Sequence, residues 1–268
     1  MTRQRFGQHF LSDPGWRERI AHALCVSPGR LDPAASRTCC WLEIGAGHGE
    51  MTELLLRTGL SVVAVELDPS LVKHLHRLAK TYPQLSVVPA DILSTDLAAL
   101  AAGLRLRIYG NLPYYITSPI LHHLFRFASL IDEIHLVIQF EVARRLTAHP
   151  GNKLYGYLSV LTRFYSRPEY VLRLPPGAFR PPPEVSSALV TLRLPGDDQG
   201  LPAAEAPAFL EFVKSCFAQK RKTLANNLRS RGGPSRVRSV LRELRLREDA
   251  RAEQLTVAEF IALFQAIS

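Results

Sequence analysis

Cys39-Cys40-Trp41-Leu42-Glu43-Ile44-Gly45-Ala46-Gly47-His48-Gly49 is the stretch that decides the fold. A short, nearly continuous apolar run that stops at glycine reads as a strand covered on both faces. After Gly49 the apolar residues Met51, Leu54 and Leu55 recur on one face of a helix. Strand, glycine-rich turn and helix together make the first βα turn of a doubly wound, mostly parallel α/β sheet. The glycines permit the tight turn and let a ligand approach the backbone at the helix N-terminus.

The next strand pattern, Ser61 to Val65, ends in Glu66. An acid about 20 residues beyond the first glycine is placed to accept the two hydroxyls of a ribose. Asp68-Pro69 then caps a further helix. The spacing is Gly-x-Gly-x-Gly, without the third glycine of the dinucleotide fingerprint and without the lysine of a phosphate-binding loop. Both departures argue against NAD and ATP. They leave a nucleoside cofactor that lacks a pyrophosphate, with S-adenosylmethionine as the leading candidate. Leu85 to Pro89 reads as a third strand leading to Asp91, whose carboxylate is placed to accept from an adenine 6-amino group.

A fourth strand runs into Gly110 and is followed by Asn111-Leu112-Pro113-Tyr114, with a helix expected to start at Ser118 (N-cap) and Pro119 (first position). Asn111 thus stands at the carboxyl end of a strand, where open α/β sheets bind ligands. Its amide offers an acceptor, Pro113 stiffens the turn and Tyr114 adds a flat apolar face. Acceptor and platform together suit an exocyclic amine on a planar base.

The 268-residue length allows one large domain and a small one. No apolar run approaches the roughly 20 residues of a membrane span, and the polar, basic start lacks the apolar core of a secretory signal. Cys25, Cys39, Cys40 and Cys216 lack metal-ligand spacing, and the adjacent pair Cys39-Cys40 reads as reduced core residues of a cytoplasmic protein. His74, His76, His122 and His123 have no thiolate or carboxylate in register, so no metal is expected. A net charge of +9 and a pI near 9.7 favour a polyanionic partner.

Residues 3–11 form a basic arm with two phenylalanines that, taken alone, reads as a tail before the helix capped by Asp13-Pro14. A fifth strand is expected over Ile134 to Gln139, with helices at Glu141–Leu146 and Leu158–Tyr165. Tyr170–Leu174 and Ala188–Leu194 read as closing edge strands. Between them, Phe179-Arg180-Pro181-Pro182-Pro183-Glu184-Val185-Ser186-Ser187 is held extended by its prolines and reads as a rigid rim of the site. Composition shifts to Gly, Asp, Ala and Pro from Pro195 to Pro207, which places a boundary between residues 1–196 and a helical domain at 197–268. Lys220, Arg221 and Lys222, beside Asn226 and Asn227, are expected to bind phosphates.

With these pieces together, the chain resembles the small-subunit rRNA adenine N6,N6-dimethyltransferases (the KsgA type) almost end to end. The resemblance is carried by Gln8-His9-Phe10-Leu11, Glu43 to Gly47, Val65 to Asp68, Ala90-Asp91, Gly110 to Tyr114, the proline segment from Phe179 to Ser187, and Phe217 to Asn226. It implies that His9, Leu11, Gly45, Gly47, Glu66, Asp91 and Asn111 line an S-adenosylmethionine site, and that Asn111, Leu112, Pro113 and Tyr114 carry the chemistry. RNA contacts are further expected from Arg3, Arg5, Phe179, Lys220, Arg221 and Lys222, the basic ones on the ground of the charge distribution. The expected partner is 16S rRNA in the immature small subunit, met by a monomer, with no membrane involved. Two departures stand out. His9 replaces an Asn found in many members, and Tyr115 replaces a second Asn found in some. The nearest rivals are the related large-subunit rRNA methyltransferases of macrolide resistance and a non-catalytic RNA-binding assembly factor on the same scaffold.

Overall fold

The computed structural model describes residues 9–24, 38–198 and 200–267. In chain order the first half holds β1 (Phe10–Leu11), α1 (Pro14–Ala23), β2 (Cys39–Ile44), α2 (Glu50–Leu56), β3 (Val62–Glu66), α3 (Pro69–Ala79), β4 (Leu85–Pro89), α4 (Leu97–Ala101) and β5 (Arg105–Asn111). There follow α5 (Thr117–Phe125), β6 (Ile131–Gln139), α6 (Phe140–Leu146), α7 (Tyr157–Tyr165), β7 (Arg167–Leu174), β8 (Phe179–Arg180) and β9 (Ser187–Arg193). The remainder is helical, with α8 (Ala206–Cys216), α9 (Leu224–Asn227), α10 (Gly233–Glu243) and α11 (Val257–Ile267).

Seven strands form one sheet in the order β4-β3-β2-β5-β6-β9-β7. β4 to β6 are parallel, and β9 runs antiparallel to β6. All six residues of β2 are buried, as expected of a central strand with helices on both faces. Chain order reverses between β2 and β5, whose registers place Ile44 beside Gly110. The crevice at that reversal is where such sheets hold ligands, so the glycine turn and Asn111 meet there.

The arm is not a loose tail from His9 onward. Phe10 and Leu11 pair antiparallel with Arg180 and Phe179 as a two-stranded sheet. Ser12 and Asp13 donate their backbone N–H groups to Ala178, and Asp13 caps α1 by accepting from the Trp16 amide. Arg3 and Arg5 lie outside the described residues. The expected helix start at Pro119 is displaced to Thr117, preceded by a 3₁₀ turn over Tyr114–Ile116, and Ser118 is not the cap. Pro119 is accommodated within the first turn, where its missing N–H has no intrahelical partner to lose.

The chain divides into two units, one of residues up to Ala143 with Glu169–Leu194, the other of Arg144–Pro168 with Pro195 onward. This differs from a single cut at residue 196, because the segment around α7 packs with the C-terminal helices. Phe164 meets Phe209, Tyr155 meets Phe217, and the backbone of Asp197 donates to the Arg163 carbonyl. No helix among the described residues is long and apolar enough to cross a membrane.

Candidate active site

A cavity of about 470 Å³, its open mouth included, is lined by His9, Phe10, Gly45, Gly47, Glu66, Asn111, Leu112, Pro113 and Tyr114. Three of its walls follow from local sequence. Gly45, Gly47 and Gly49 take φ of +68°, +59° and +87°, the left-handed region that favours glycine. A Cβ on Gly45 would meet nothing within 4 Å, so its side-chain position is left open. A Cβ on Gly47 would come within 3.3 Å of the Phe10 ring, which shows how closely the arm lies over the turn.

Glu66 is only 3% exposed. Its Oε2 accepts from the Gly47 amide at 3.0 Å, and its Oε1 accepts from the Leu67 and Asp68 amides, each at 2.9 Å. A carboxylate has about four lone-pair sites, and three here are already used. Oε1 already accepts two amides and Oε2 one, so the acceptor position left for the expected ribose contact is at Oε2. The other three fasten the glycine turn to the end of β3.

Asn111 closes the opposite wall. Its Nδ2 donates to the His9 carbonyl at 2.8 Å. His9 Nδ1 donates in turn to the Pro181 carbonyl at 2.8 Å, and the His9 ring stacks on Tyr114 with centroids 5.8 Å apart. A carbonyl can only accept, so the protonated ring nitrogen is Nδ1, which leaves Nε2 of a neutral ring as an acceptor. The Tyr114 hydroxyl hydrogen-bonds Ser187 Oγ at 2.7 Å. Burial pushes the pKa of that hydroxyl up, and the Ser187 bond opposes the rise.

The structure thus gathers His9, Gly45, Gly47, Glu66 and the tetrapeptide from Asn111 to Tyr114 on one cavity. Leu11 packs in the core at 6% exposure, leaving only main-chain atoms to offer a ligand. Asp91 is exposed and does not line the cavity. Its Oδ1 caps the following 3₁₀ turn through the Leu93 amide, although the Ala90 amide donates to the Glu66 carbonyl and keeps the two acids on neighbouring strand ends. Phe179, expected as an RNA contact, is corrected. It is 4% exposed and belongs to the core cluster with Leu11 and Leu174, because its pairing with Leu11 turns the ring inward. Tyr115, by contrast, is 66% exposed. Phe10, Pro181 and Ser187 stand in the quoted motifs, but the sequence assigned none of them an individual role. Their parts depend on contacts between residues 73 to 172 positions apart in the chain, which local patterns do not carry.

In the helical unit, Lys220, Arg221 and Lys222 stand exposed in the turn between α8 and α9, not on a helix face. Lys222, Asn226, Asn227 and Arg229 line an open hollow of about 710 Å³. Asn227 Nδ2 donates to the Cys216 and Gln219 carbonyls and so fixes the turn, while Lys220 Nζ donates to the Lys153 carbonyl.

A family model described as ribosomal RNA adenine dimethylase matches residues 1–268. The chain is 40% identical over 262 residues to the ribosomal RNA small subunit methyltransferase A of Xanthomonas euvesicatoria pv. vesicatoria, covering 98% of this chain and 95% of that protein. It is 39% identical over 267 residues to the protein of that name from Xylella fastidiosa, covering 99% and 96%. Among solved structures, it matches a dimethyladenosine transferase from Plasmodium falciparum with a TM-score of 0.78 at 23% identity, covering 95% and 96%, a likeness of fold. It also matches the 23S rRNA methyltransferase ErmE with a TM-score of 0.72 at 26% identity, covering 96% and 99%.

One buried acid beneath the turn gives a measurable signature. Glu43 is 2% exposed, and burial pushes its carboxyl up from 4.5 to about 8, with the Thr52 hydroxyl bond opposing and the Glu50 and Glu66 carboxylates adding. Tyr109, its register partner on β5, also faces it with a buried hydroxyl. Between these two values the folded chain holds a proton that the unfolded chain has released, so stability falls as pH rises through that window. Glu43→Gln stays neutral throughout. The melting temperature of the variant relative to wild type should therefore climb from pH 5 to 8 and level off above; a difference independent of pH would contradict the assignment.

Proposed function

The chain belongs to the ribosomal RNA adenine dimethylase family, and on that premise we propose that it transfers methyl groups from S-adenosylmethionine to the N6 amines of two adjacent adenosines near the 3′ end of 16S rRNA in the assembling small subunit. The activity class, rRNA adenine dimethylation, follows from the family. The carrying observation is the single cavity on which the glycine turn, Glu66 and Asn111-Leu112-Pro113-Tyr114 converge.

The residues fit a nucleoside methyl donor. Gly45 leaves space where a side chain would intrude, Glu66 keeps one acceptor site for a ribose hydroxyl, and Asp91 keeps Oδ2 for an amino group at the neighbouring strand end. Gly47 lies on that wall and His9 on the facing one, while Leu11 contributes from behind the arm through its backbone on this reading. Bound there, S-adenosylmethionine supplies a methyl group activated by a sulfonium.

The protein's own work is to aim the amine. An adenine amine is a poor nucleophile because its lone pair is delocalised into the ring. The Asn111 Oδ1 and the Leu112 carbonyl hold its hydrogens so that the lone pair points at the methyl carbon. Asn111 can do this with a fixed orientation because its Nδ2 is committed to the His9 carbonyl. Tyr114 stacks on the flipped-out base, worth roughly 1–3 kcal/mol, and its bond to Ser187 holds the ring in place. Positioning and exclusion of water supply the rate, and no strong base is needed.

Small-subunit specificity is supported by 40% identity to a small-subunit enzyme over nearly the whole chain, against 26% to the large-subunit ErmE. A non-catalytic assembly factor would tolerate loss of Glu66, Asp91 or the tetrapeptide, and all are present. One flipped base carries too little surface to select an rRNA site. The net charge of +9 and the exposed Lys220, Arg221 and Lys222 supply a second footprint, to which Arg3 and Arg5 belong by sequence. The protein acts as a monomer in the cytoplasm on this reading.

The test is to incubate purified unmethylated small subunits with labelled donor and map the labelled nucleotides. Label on two adjacent adenosines near the 3′ end, absent with Asn111→Ala although that variant still binds the subunit, is the expected result. Label in large-subunit RNA alone, or none, would overturn the reading. Replacing Lys220, Arg221 and Lys222 by Gln should weaken subunit binding and flatten its log–log salt dependence by roughly 0.7 per lost phosphate contact, with donor affinity unchanged. Equal slopes for variant and wild type would place the footprint elsewhere.

A further inference from the structure

Glu43 and Thr52 are buried, bonded to each other, and touch nothing in the chemistry described above. Glu43 lies on β2 just before the glycine turn, and Thr52, with 0% exposure, lies in α2 just after it. The Thr52 hydroxyl donates to Glu43 Oε2 at 2.5 Å. This bond spans the turn at its base, so the five residues from Gly45 to Gly49 are pinned at both ends by one side-chain contact.

The turn needs such a tie. Its three glycines adopt left-handed φ, and within the turn the backbone makes one bond, from the Gly49 amide to the Ala46 carbonyl at 3.0 Å. Two further anchors come from β3: the Gly45 amide donates to the Val65 carbonyl, and the Gly47 amide to Glu66. Those hold the side of the turn that faces β3. On the helix side the Gly49 carbonyl accepts the Glu53 amide, and the side-chain tie there is Glu43 with Thr52. A hydroxyl held this way also steers the N-terminus of α2, whose cap residue, Gly49, offers no side chain.

We propose that Glu43 and Thr52 form a positioning pair that fixes the glycine turn for the methyl donor. The pair rests on the reading of this cavity as the donor site, and deepens it. Loss of the hydroxyl then loosens the turn, and the donor must reorder it on binding. The methyl group of Thr52 is left to pack as before.

The test compares Thr52→Val and Thr52→Ser with wild type, using S-adenosylhomocysteine as probe. Calorimetry should show affinity reduced on the order of tenfold in Thr52→Val and restored to within about threefold in Thr52→Ser. Binding to small subunits should not change. Hydrogen exchange without any ligand should be faster at the amides of residues 45–52 in Thr52→Val alone. If Thr52→Val binds the probe like wild type, or Thr52→Ser fails equally, the hydroxyl has no positioning part. If wild type does not bind the probe, the donor-site reading fails, and the exchange data still decide whether the pair holds the turn: unchanged protection would overturn it.

Discussion

The hydrogen bond from Asn111 Nδ2 to the His9 carbonyl, at 2.8 Å, is the constraint on which the rest of the site depends. A primary amide carries a donor end and an acceptor end on nearly the same shape, and only its surroundings decide which faces where. A main-chain carbonyl accepts and cannot donate. By taking the amide nitrogen, it turns Oδ1 the other way, toward the cavity. That orientation persists only while His9 stays in place. His9 in turn is held by the Pro181 carbonyl at its ring and by the pairing of Phe10 and Leu11 with Arg180 and Phe179. The proline segment thus acts on the chemistry from a distance, by anchoring the arm that anchors the amide.

The facing wall works by a different economy of groups. Glu66 is a buried anion that accepts three backbone amides, so its charge is balanced by donors of the turn and of the β3 end before any ligand enters. Charge-assisted bonds of this kind are stronger than neutral ones, at about 1.5–3 kcal/mol each. Glu66 therefore shapes the turn as much as it recognises a ribose. Glu43, below it, solves its burial in the opposite way, by keeping its proton near neutral pH.

Much of this was legible in the sequence, and the division between what was and was not has a physical cause. The strand from Cys39, the glycine turn, Glu66 and Asn111 are read from neighbours in the chain, because strand, turn and helix declare themselves by local periodicity. The crevice follows from the topology they imply. The pairing of β1 with β8 does not, since it joins residues near 10 and 180 over only two positions each. For the same reason the inward turn of Phe179 was hidden: a phenylalanine beside prolines looks like an exposed rim until its partner strand is known. The segment from Arg144 to Pro168 joins the helical unit through ring contacts such as Phe164 with Phe209, which no composition shift announces. Glu66 was singled out by its place at a strand end, but how many of its lone pairs remain is a property of the folded turn alone.

The most direct measurement is the single-turnover transfer rate of Asn111→Asp on unmethylated small subunits, with S-adenosylhomocysteine affinity measured alongside. Aspartate keeps acceptor oxygens for the amine but cannot donate to the His9 carbonyl. If the tie to the arm orients the acceptor, transfer falls on the order of a hundredfold while the cavity still binds its ligand. Transfer within a few-fold of wild type would show that the acceptor alone suffices and that the arm has no part in aiming it.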